Sequence, residues 1–209
     1  MSAAIEKKRA ALGAVAYVES GMMLGLGTGS TAYYAIEAIG ERWQNGSLTD
    51  IRAVATSEAT IAQATQYGIP LMEINEVDTI DLTIDGADEF DGQLRLIKGG
   101  GGAFREKLVA YASRQMIVIT DASKRVDTLG AFPLPVEVIP RALQLVKKEL
   151  INKGLQPVLR KAKDGQPYLT DNGNVILDCH VGAISNPEEL DVALHLIRGV
   201  GNGSFLRAL

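Results

Sequence analysis

The chain has 209 residues, 46% of them hydrophobic and 22% charged, enough apolar material to bury a sizeable core without disulfides or metals. Twenty-one Lys and Arg against 25 Asp and Glu leave a net charge of -4, the wrong sign for a general binder of nucleic acid or anionic membrane, so an anionic ligand must be held by a local site. One cysteine, Cys179, and two histidines, His180 and His195, exclude a disulfide framework, a Cys-rich zinc module and a multi-histidine metal centre, and suit a reducing, cytoplasmic compartment.

The basic triplet Lys7-Lys8-Arg9 before the apolar run 10–18 has the outline of a signal peptide. Ile5, Leu12, Val15 and Ala16, however, share one helical stripe, Glu6 and Glu19 bracket the run and no small-residue cleavage site follows, so the segment reads as an amphipathic first helix. No apolar stretch approaches the roughly 18 residues that span a bilayer. Met22–Leu26 is a short strand entering the glycine turn Gly25-Leu26-Gly27-Thr28-Gly29-Ser30-Thr31, and a helix follows to about Arg42. Ile51–Ala55 is the next strand, Ser57 an N-cap, and Glu58–Tyr67 a helix stopped by Gly68 and Pro70. Ile80, Leu82 and Ile84 alternate with Asp81, Thr83 and Asp85 in a strand that delivers Asp85-Gly86-Ala87-Asp88-Glu89 at its end.

Gln93–Ile97 leads into Lys98 and four glycines, Gly99 to Gly102, then a helix over 103–114 and a strand over 116–120. Alternating strands and helices predict a doubly wound, mostly parallel sheet of Rossmann type in an α/β fold, with ligands beyond the carboxyl ends of its strands. Segments 25–31, 85–89 and 98–102 each follow a strand, so they are expected to converge. After Phe132-Pro133-Leu134-Pro135 the pattern changes: a strand over 136–139, a helix over 141–152 closed by Gly154, short strands separated by the turns 163–166 and 171–174, a helix starting at Asn186-Pro187, and a last strand over 203–207. That order predicts a smaller α+β, ferredoxin-like domain at 131–200, a candidate for oligomerisation, beside a catalytic domain of 1–130 plus 201–209.

Three segments carry candidate chemistry. Around Thr28, Gly29, Ser30 and Thr31, backbone N–H groups, hydroxyls and a following helix N-terminus suit a phosphate; the spacing fits neither the Walker nor the dinucleotide pattern. A ligand-free strand-to-helix turn is the plain alternative. Asp85 and Asp88 flank Gly86 and Ala87, so a bent backbone aims both carboxylates into one cleft, where they accept hydrogen bonds from sugar hydroxyls or exchange protons. Lys98 neutralises such a pair and stabilises an oxyanion. Singly these are an acidic turn and a solvated lysine before a flexible linker, and only their joint placement favours a site. Glu106, one turn into its helix, is either a dipole-complementing acid or a base for a proton beside a carbonyl. Lys124 is either a solvated loop cation or a second substrate anchor. Cys179, His180 and His195 read as structural.

In combination, Gly27-Thr28-Gly29-Ser30-Thr31, Asp85-Gly86-Ala87-Asp88-Glu89, Lys98-Gly99-Gly100-Gly101-Gly102, Arg105-Glu106-Lys107 and Thr120-Asp121-Ala122-Ser123-Lys124 resemble the type A ribose-5-phosphate isomerases. Pro133–Val138 and Asp171–Asp178 extend the likeness over nearly the whole chain. The resemblance implies interconversion of D-ribose 5-phosphate and D-ribulose 5-phosphate through a cis-enediolate, in the non-oxidative pentose phosphate pathway, by a homodimer or homotetramer needing no metal or organic cofactor. It implies catalytic roles for Glu106, Asp85, Asp88 and Lys98, and substrate binding by Thr28 to Thr31, Asp85 to Asp88, Lys98, Gly99, Gly100, Gly101 and Lys124. A sugar-phosphate sensor without catalysis is the alternative, opposed by the presence of both Asp85 and Glu106. A nicotinamide dehydrogenase is weakened further, because Ala55-Thr56-Ser57 stands where a ribose-binding acid belongs.

Overall fold

The computed structural model of the chain describes residues 2–201 and 205–207. The chain divides into two compact units, Met1–Ala87 with Arg105–Lys124, and Asp88–Phe104 with Arg125–Arg207.

In the first unit, α1 (Ala3–Val15) precedes β1 (Met23–Leu26), α2 (Ala32–Gln44), β2 (Arg52–Ala55), α3 (Glu58–Gln66) and β3 (Ile80–Asp85). Ser57 caps α3 as expected, its hydroxyl accepting the N–H of Thr60 at 3.1 Å. Leu24, Leu26, Leu82 and Ile84 pack with Ala11 and Val15 of α1 and Ile36 and Ile39 of α2. Met23 and Val54 join a second cluster around Val109. Both faces of β1 are therefore covered, which is why it reads as an unbroken apolar run, whereas β3 keeps the alternation of apolar and polar residues.

The second unit holds β4 (Glu89–Phe90) and β5 (Arg95–Ile97). The chain then returns to the first unit for α4 (Glu106–Tyr111) and β6 (Ser113–Val118). The four strands β2-β1-β3-β6 form one parallel sheet. The helix expected over 103–114 contracts to six residues, and the strand expected at 116–120 starts earlier. The cause is the ladder from Ile80 opposite Ser113 to Asp85 opposite Val118, which satisfies along the sheet the backbone groups that a helix would satisfy locally.

Back in the second unit, β7 (Leu134–Val138), α5 (Leu143–Asn152), β8 (Gln156–Leu159), β9 (Val175–His180) and α6 (Pro187–His195) follow in order. The antiparallel sheet β7-β9-β8 packs through Val136, Leu177 and Cys179 on Val146 and Leu150 of α5 and Leu194 of α6. The Asn186 side chain caps α6 with proline in the first turn, as expected. Val200 bridges Val138 on the outer side of β7, the position of a fourth strand in a ferredoxin-like sheet. The last strand, β10 (Phe205–Arg207), pairs instead with β5, which also pairs with β4, all antiparallel. This corrects one expectation: the Lys98 run follows a strand of a separate antiparallel sheet, not of the parallel one. β4 and β5 share this sheet with β10, all three within the stretches expected in the larger domain. Gly203 and Ser204, included in the expected last strand, lie outside the described residues.

Candidate active site

The order β2-β1-β3-β6 creates a switch point between β1 and β3, because the chain leaves β1 toward β2 and resumes on its other side. Crevices of this kind collect ligands in open α/β sheets. Here β1 runs out into Gly27 and β3 ends at Asp85, whose side chain is fully buried. Asp85 Oδ1 accepts the N–H of Thr28 at 3.1 Å and that of Gly86 at 2.7 Å. A Cβ on Gly27 would collide with this carboxylate, so only glycine lets the loop approach so closely. Gly86 and Ala87 follow, half-buried.

The Thr28 hydroxyl lies 2.7 Å from that of Thr56, 2.8 Å from that of Ser57 and 3.0 Å from that of Thr60. Thr56 and Thr60 in turn donate to the carbonyls of Leu26 and Gly27, each at 2.9 Å. This hydroxyl is turned into the fold and braces the loop, while Gly29 and Ser30 stand exposed and Thr31 adjoins the N-terminus of α2. The hydroxyl cluster at the end of β2 was not among the expected site residues, and its one signal in the sequence is the capping serine.

Lys7 was not among them either. Its Nζ donates to Ser30 Oγ at 3.0 Å and lies 3.7 Å from Asp121 Oδ2, which carries an α1 cation to the glycine loop. Glu6 on the same helix accepts the N–H of Ala122 at 3.2 Å. The hydroxyl and N–H of Ser123, with the charges of Lys7 and Lys124, hold the Asp121 carboxyl below its ordinary range in spite of burial. The expected anchor Lys124 closes this 3₁₀ turn, half-buried. In the sequence, Lys7-Lys8-Arg9 was informative only about targeting, because nothing local links α1 to residues 30 and 121.

Glu106 is the first residue of α4, not a turn inside it, since the helix starts only after the turn through Gly102, which has φ +81°. Glu106 is 7% exposed. Arg105 beside it pairs with Glu58 at 3.0 Å.

Within the second unit, antiparallel pairing of Glu89 with Ile97 sets Asp88 opposite Lys98. Asp88 donates its N–H to the carbonyl of Ile97 at 2.8 Å, and its Oδ2 accepts the N–H of Gly100 at 2.7 Å. Lys98 is 6% exposed, Gly99 is buried and Gly101 is exposed. Arg160 binds the carbonyls of Gly99 and Gly100, an anchor absent from the sequence expectations. Glu89, next to Asp88, serves the architecture, since its buried carboxylate accepts the N–H groups of Gly130 and Phe132. Burial pushes the Cys179 thiol up to about 12, which makes it inert at neutral pH. His195 bonds the Asp191 carbonyl one turn back along α6. Among the described residues, no group of three or more His, Cys, Asp or Glu side chains could hold a metal ion, and no helix is long and apolar enough to cross a membrane.

A glycine loop braced against a buried carboxylate, with a buried glutamate on the helix before the next parallel strand, fits sugar-phosphate chemistry, and the chain's relatives are of that kind. Residues 52–209 match the family model for ribose 5-phosphate isomerase A, also called phosphoriboisomerase A. The chain is 48% identical to ribose-5-phosphate isomerase A of Parvibaculum lavamentivorans, covering 99% of this chain and 92% of that protein. It is 50% identical to that of Methylorubrum extorquens, covering 99% and 90%. A solved D-ribose-5-phosphate isomerase in complex with phospho-erythronic acid superposes with TM-score 0.96 at 38% identity, covering 99% of this chain and 92% of that one. The Methanocaldococcus jannaschii ribose 5-phosphate isomerase A gives 0.94 at 39%, covering 100% and 93%. The chain therefore belongs to the ribose 5-phosphate isomerase A family and is an aldose–ketose isomerase.

Proposed function

We propose that the chain interconverts D-ribose 5-phosphate and D-ribulose 5-phosphate through a cis-enediolate, with Glu106 as the base. The observation that carries this reading is the hydrogen bond between the glycine loop and the buried Asp85. It supports the reading because it holds the loop read as the phosphate site against the carboxylate read as the proton carrier, at the switch point.

On the open-chain aldose, Glu106 takes the C2 proton, and the C–H electron pair forms the C1–C2 double bond while the carbonyl electrons move onto O1. The same acid returns the proton to C1, and the O2 proton passes to O1, leaving the ketone at C2. Asp85 assists that transfer between oxygens. Lys98 and the glycine-run amides stabilise the enediolate oxygens, and Asp88 orients hydroxyls. Gly86 and Ala87 line the same turn, and Gly99, Gly100 and Gly101 let the substrate approach backbone. Gly29, Ser30, Thr31, Lys7 and Lys124 hold the phosphate. A fixed ammonium and a carboxylate suffice for this chemistry, so chelator-treated protein is expected to convert ribose 5-phosphate to ketose at the untreated rate. Loss of activity on chelation, restored only by added metal, would contradict the reading. Phospho-erythronic acid, bound by the solved relative, is an acid phosphate whose planar carboxylate resembles the enediolate, and it is expected to compete with substrate.

The phosphate grip has its own test. Lys7→Met is expected to raise KM for ribose 5-phosphate about tenfold, the effect of roughly 1.4 kcal/mol of lost binding, and Ser30→Ala with Thr31→Ala to act in the same direction. Turnover of unphosphorylated ribose should change less, and an equal loss for both sugars would move the phosphate elsewhere. We further propose a homodimer or homotetramer in the cytoplasm. Leu145 on α5 and Val192 on α6 expose more than half of their surface, and Leu196, just past α6, is 78% exposed, an apolar group suited to a second copy.

A further inference from the structure

The substrate side of the glycine run has a counterpart on its other side. Arg160 follows β8, and its backbone continues that ladder by donating to the Ile176 carbonyl at 2.9 Å. Val158 pairs with Asp178, so Arg160 and Asp178 are diagonal neighbours on one face of the sheet. The guanidinium uses two nitrogens on the Asp178 carboxylate, Nε at 2.8 Å from Oδ2 and a second nitrogen on Oδ1. Its remaining nitrogen donates to the Gly100 carbonyl at 2.9 Å and to that of Gly99 at 3.3 Å.

These two carbonyls decide where the neighbouring amides point. In a planar trans peptide the N–H lies opposite the C=O, so fixing the carbonyls of Gly99 and Gly100 toward Arg160 turns the N–H groups of Gly100 and Gly101 the other way. The Gly100 N–H indeed meets Asp88. Tyr168 closes the far end of the turn, where a Cβ on Gly102 would strike its ring.

We propose that Arg160, held in place by Asp178, is a positioning residue for the isomerase reaction: it orients the peptides 99–100 and 100–101 so that the Gly100 amide holds the Asp88 carboxylate and the Gly101 amide, with the adjoining Lys98 and Asp88, faces the substrate. The proposal rests on the reading that the Lys98 run binds the enediolate. Arginine is required because a lysine ammonium cannot grip a carboxylate with two nitrogens and two successive carbonyls with a third. Arg160 itself touches no reacting atom.

The test compares Arg160→Met, Arg160→Lys and Asp178→Asn with the wild type and with Lys98→Met in steady-state isomerisation. Circular dichroism and thermal unfolding report the folded fraction, and inorganic phosphate serves as an inhibitor. Misaligned donors lower kcat, so the Arg160 variants are expected to lose roughly 10- to 100-fold in kcat with a small change in KM. Asp178→Asn falls between them and the wild type. The inhibition constant of phosphate should stay within about twofold, since the phosphate is read onto the loop 27–31 and the pair acts on the Lys98 run. Should Arg160→Met fail to fold, Arg160→Lys and Asp178→Asn keep the charge or the shape and carry the comparison. Folded Arg160 variants with wild-type kcat, beside an impaired Lys98→Met, overturn the positioning role alone. A Lys98→Met protein with wild-type turnover overturns the reading beneath it and the positioning role together. A parallel fall of kcat, phosphate affinity and folded fraction shows a merely structural pair and also overturns the proposal.

Discussion

Glu106→Gln is expected to lower kcat by at least about 100-fold while leaving substrate binding nearly unchanged. The amide keeps the size and hydrogen-bonding capacity of the carboxylate and removes only its ability to take a proton. Glu106 is buried at the first position of α4, and Val109 on that helix packs with Val54 and Ile80, so a side chain of the same volume leaves that packing in place. Exchange of the C2 proton of the substrate with solvent is the sharper measurement. If Glu106 is the base, exchange and isomerisation fall together. A Glu106→Gln protein that still exchanges this proton at the wild-type rate would transfer the role to another group, with Asp85 first in line. A wild-type protein that binds ribose 5-phosphate without isomerising it or exchanging the proton would restore the sensor alternative.

Asp85→Asn is expected to reduce kcat by roughly 10- to 100-fold with little loss of stability. The asparagine oxygen can still accept the N–H groups of Thr28 and Gly86, so the variant isolates the charge from the architecture. Asp85→Ala is a different experiment: it leaves those two amides without this acceptor in a half-buried setting, at a cost of up to about 1–3 kcal/mol each, and the glycine loop loses its brace. If Asp85 and Glu106 serve one enediolate pathway, the double variant Glu106→Gln with Asp85→Asn will be less impaired than the product of the single effects. Multiplicative losses would separate the two residues into independent steps, and a wild-type rate for Asp85→Asn would remove Asp85 from the chemistry.

How far each feature could be foreseen follows from the range of the interaction that creates it. The parallel sheet and the helices of both units were legible because hydrophobic period, caps and breakers are local: Ser57 and Asn186 cap the helices expected of them, one in each unit. The glycine loop, Asp85 and Lys98 stood out because each belongs to a run of unusual composition, whereas Glu106 stayed open between a dipole-complementing acid and a base until the family resemblance singled it out. Boundaries were lost where a ladder competed with local preference, as in residues 113–118, which extend the sheet beside β3 although their neighbours favour helix. The membership of β5 was lost for the same reason, since its partners β4 and β10 include a strand more than a hundred residues away in the sequence. Tertiary structure alone brought Lys7 to Ser30, turned the Thr28 hydroxyl inward to Thr56 and Thr60, and set Arg160 under the carbonyls of Gly99 and Gly100. A motif records residues that are neighbours along the chain, whereas a cation or hydroxyl supplied from another element has no fixed spacing to betray it, and its place is decided only when packing brings the elements together.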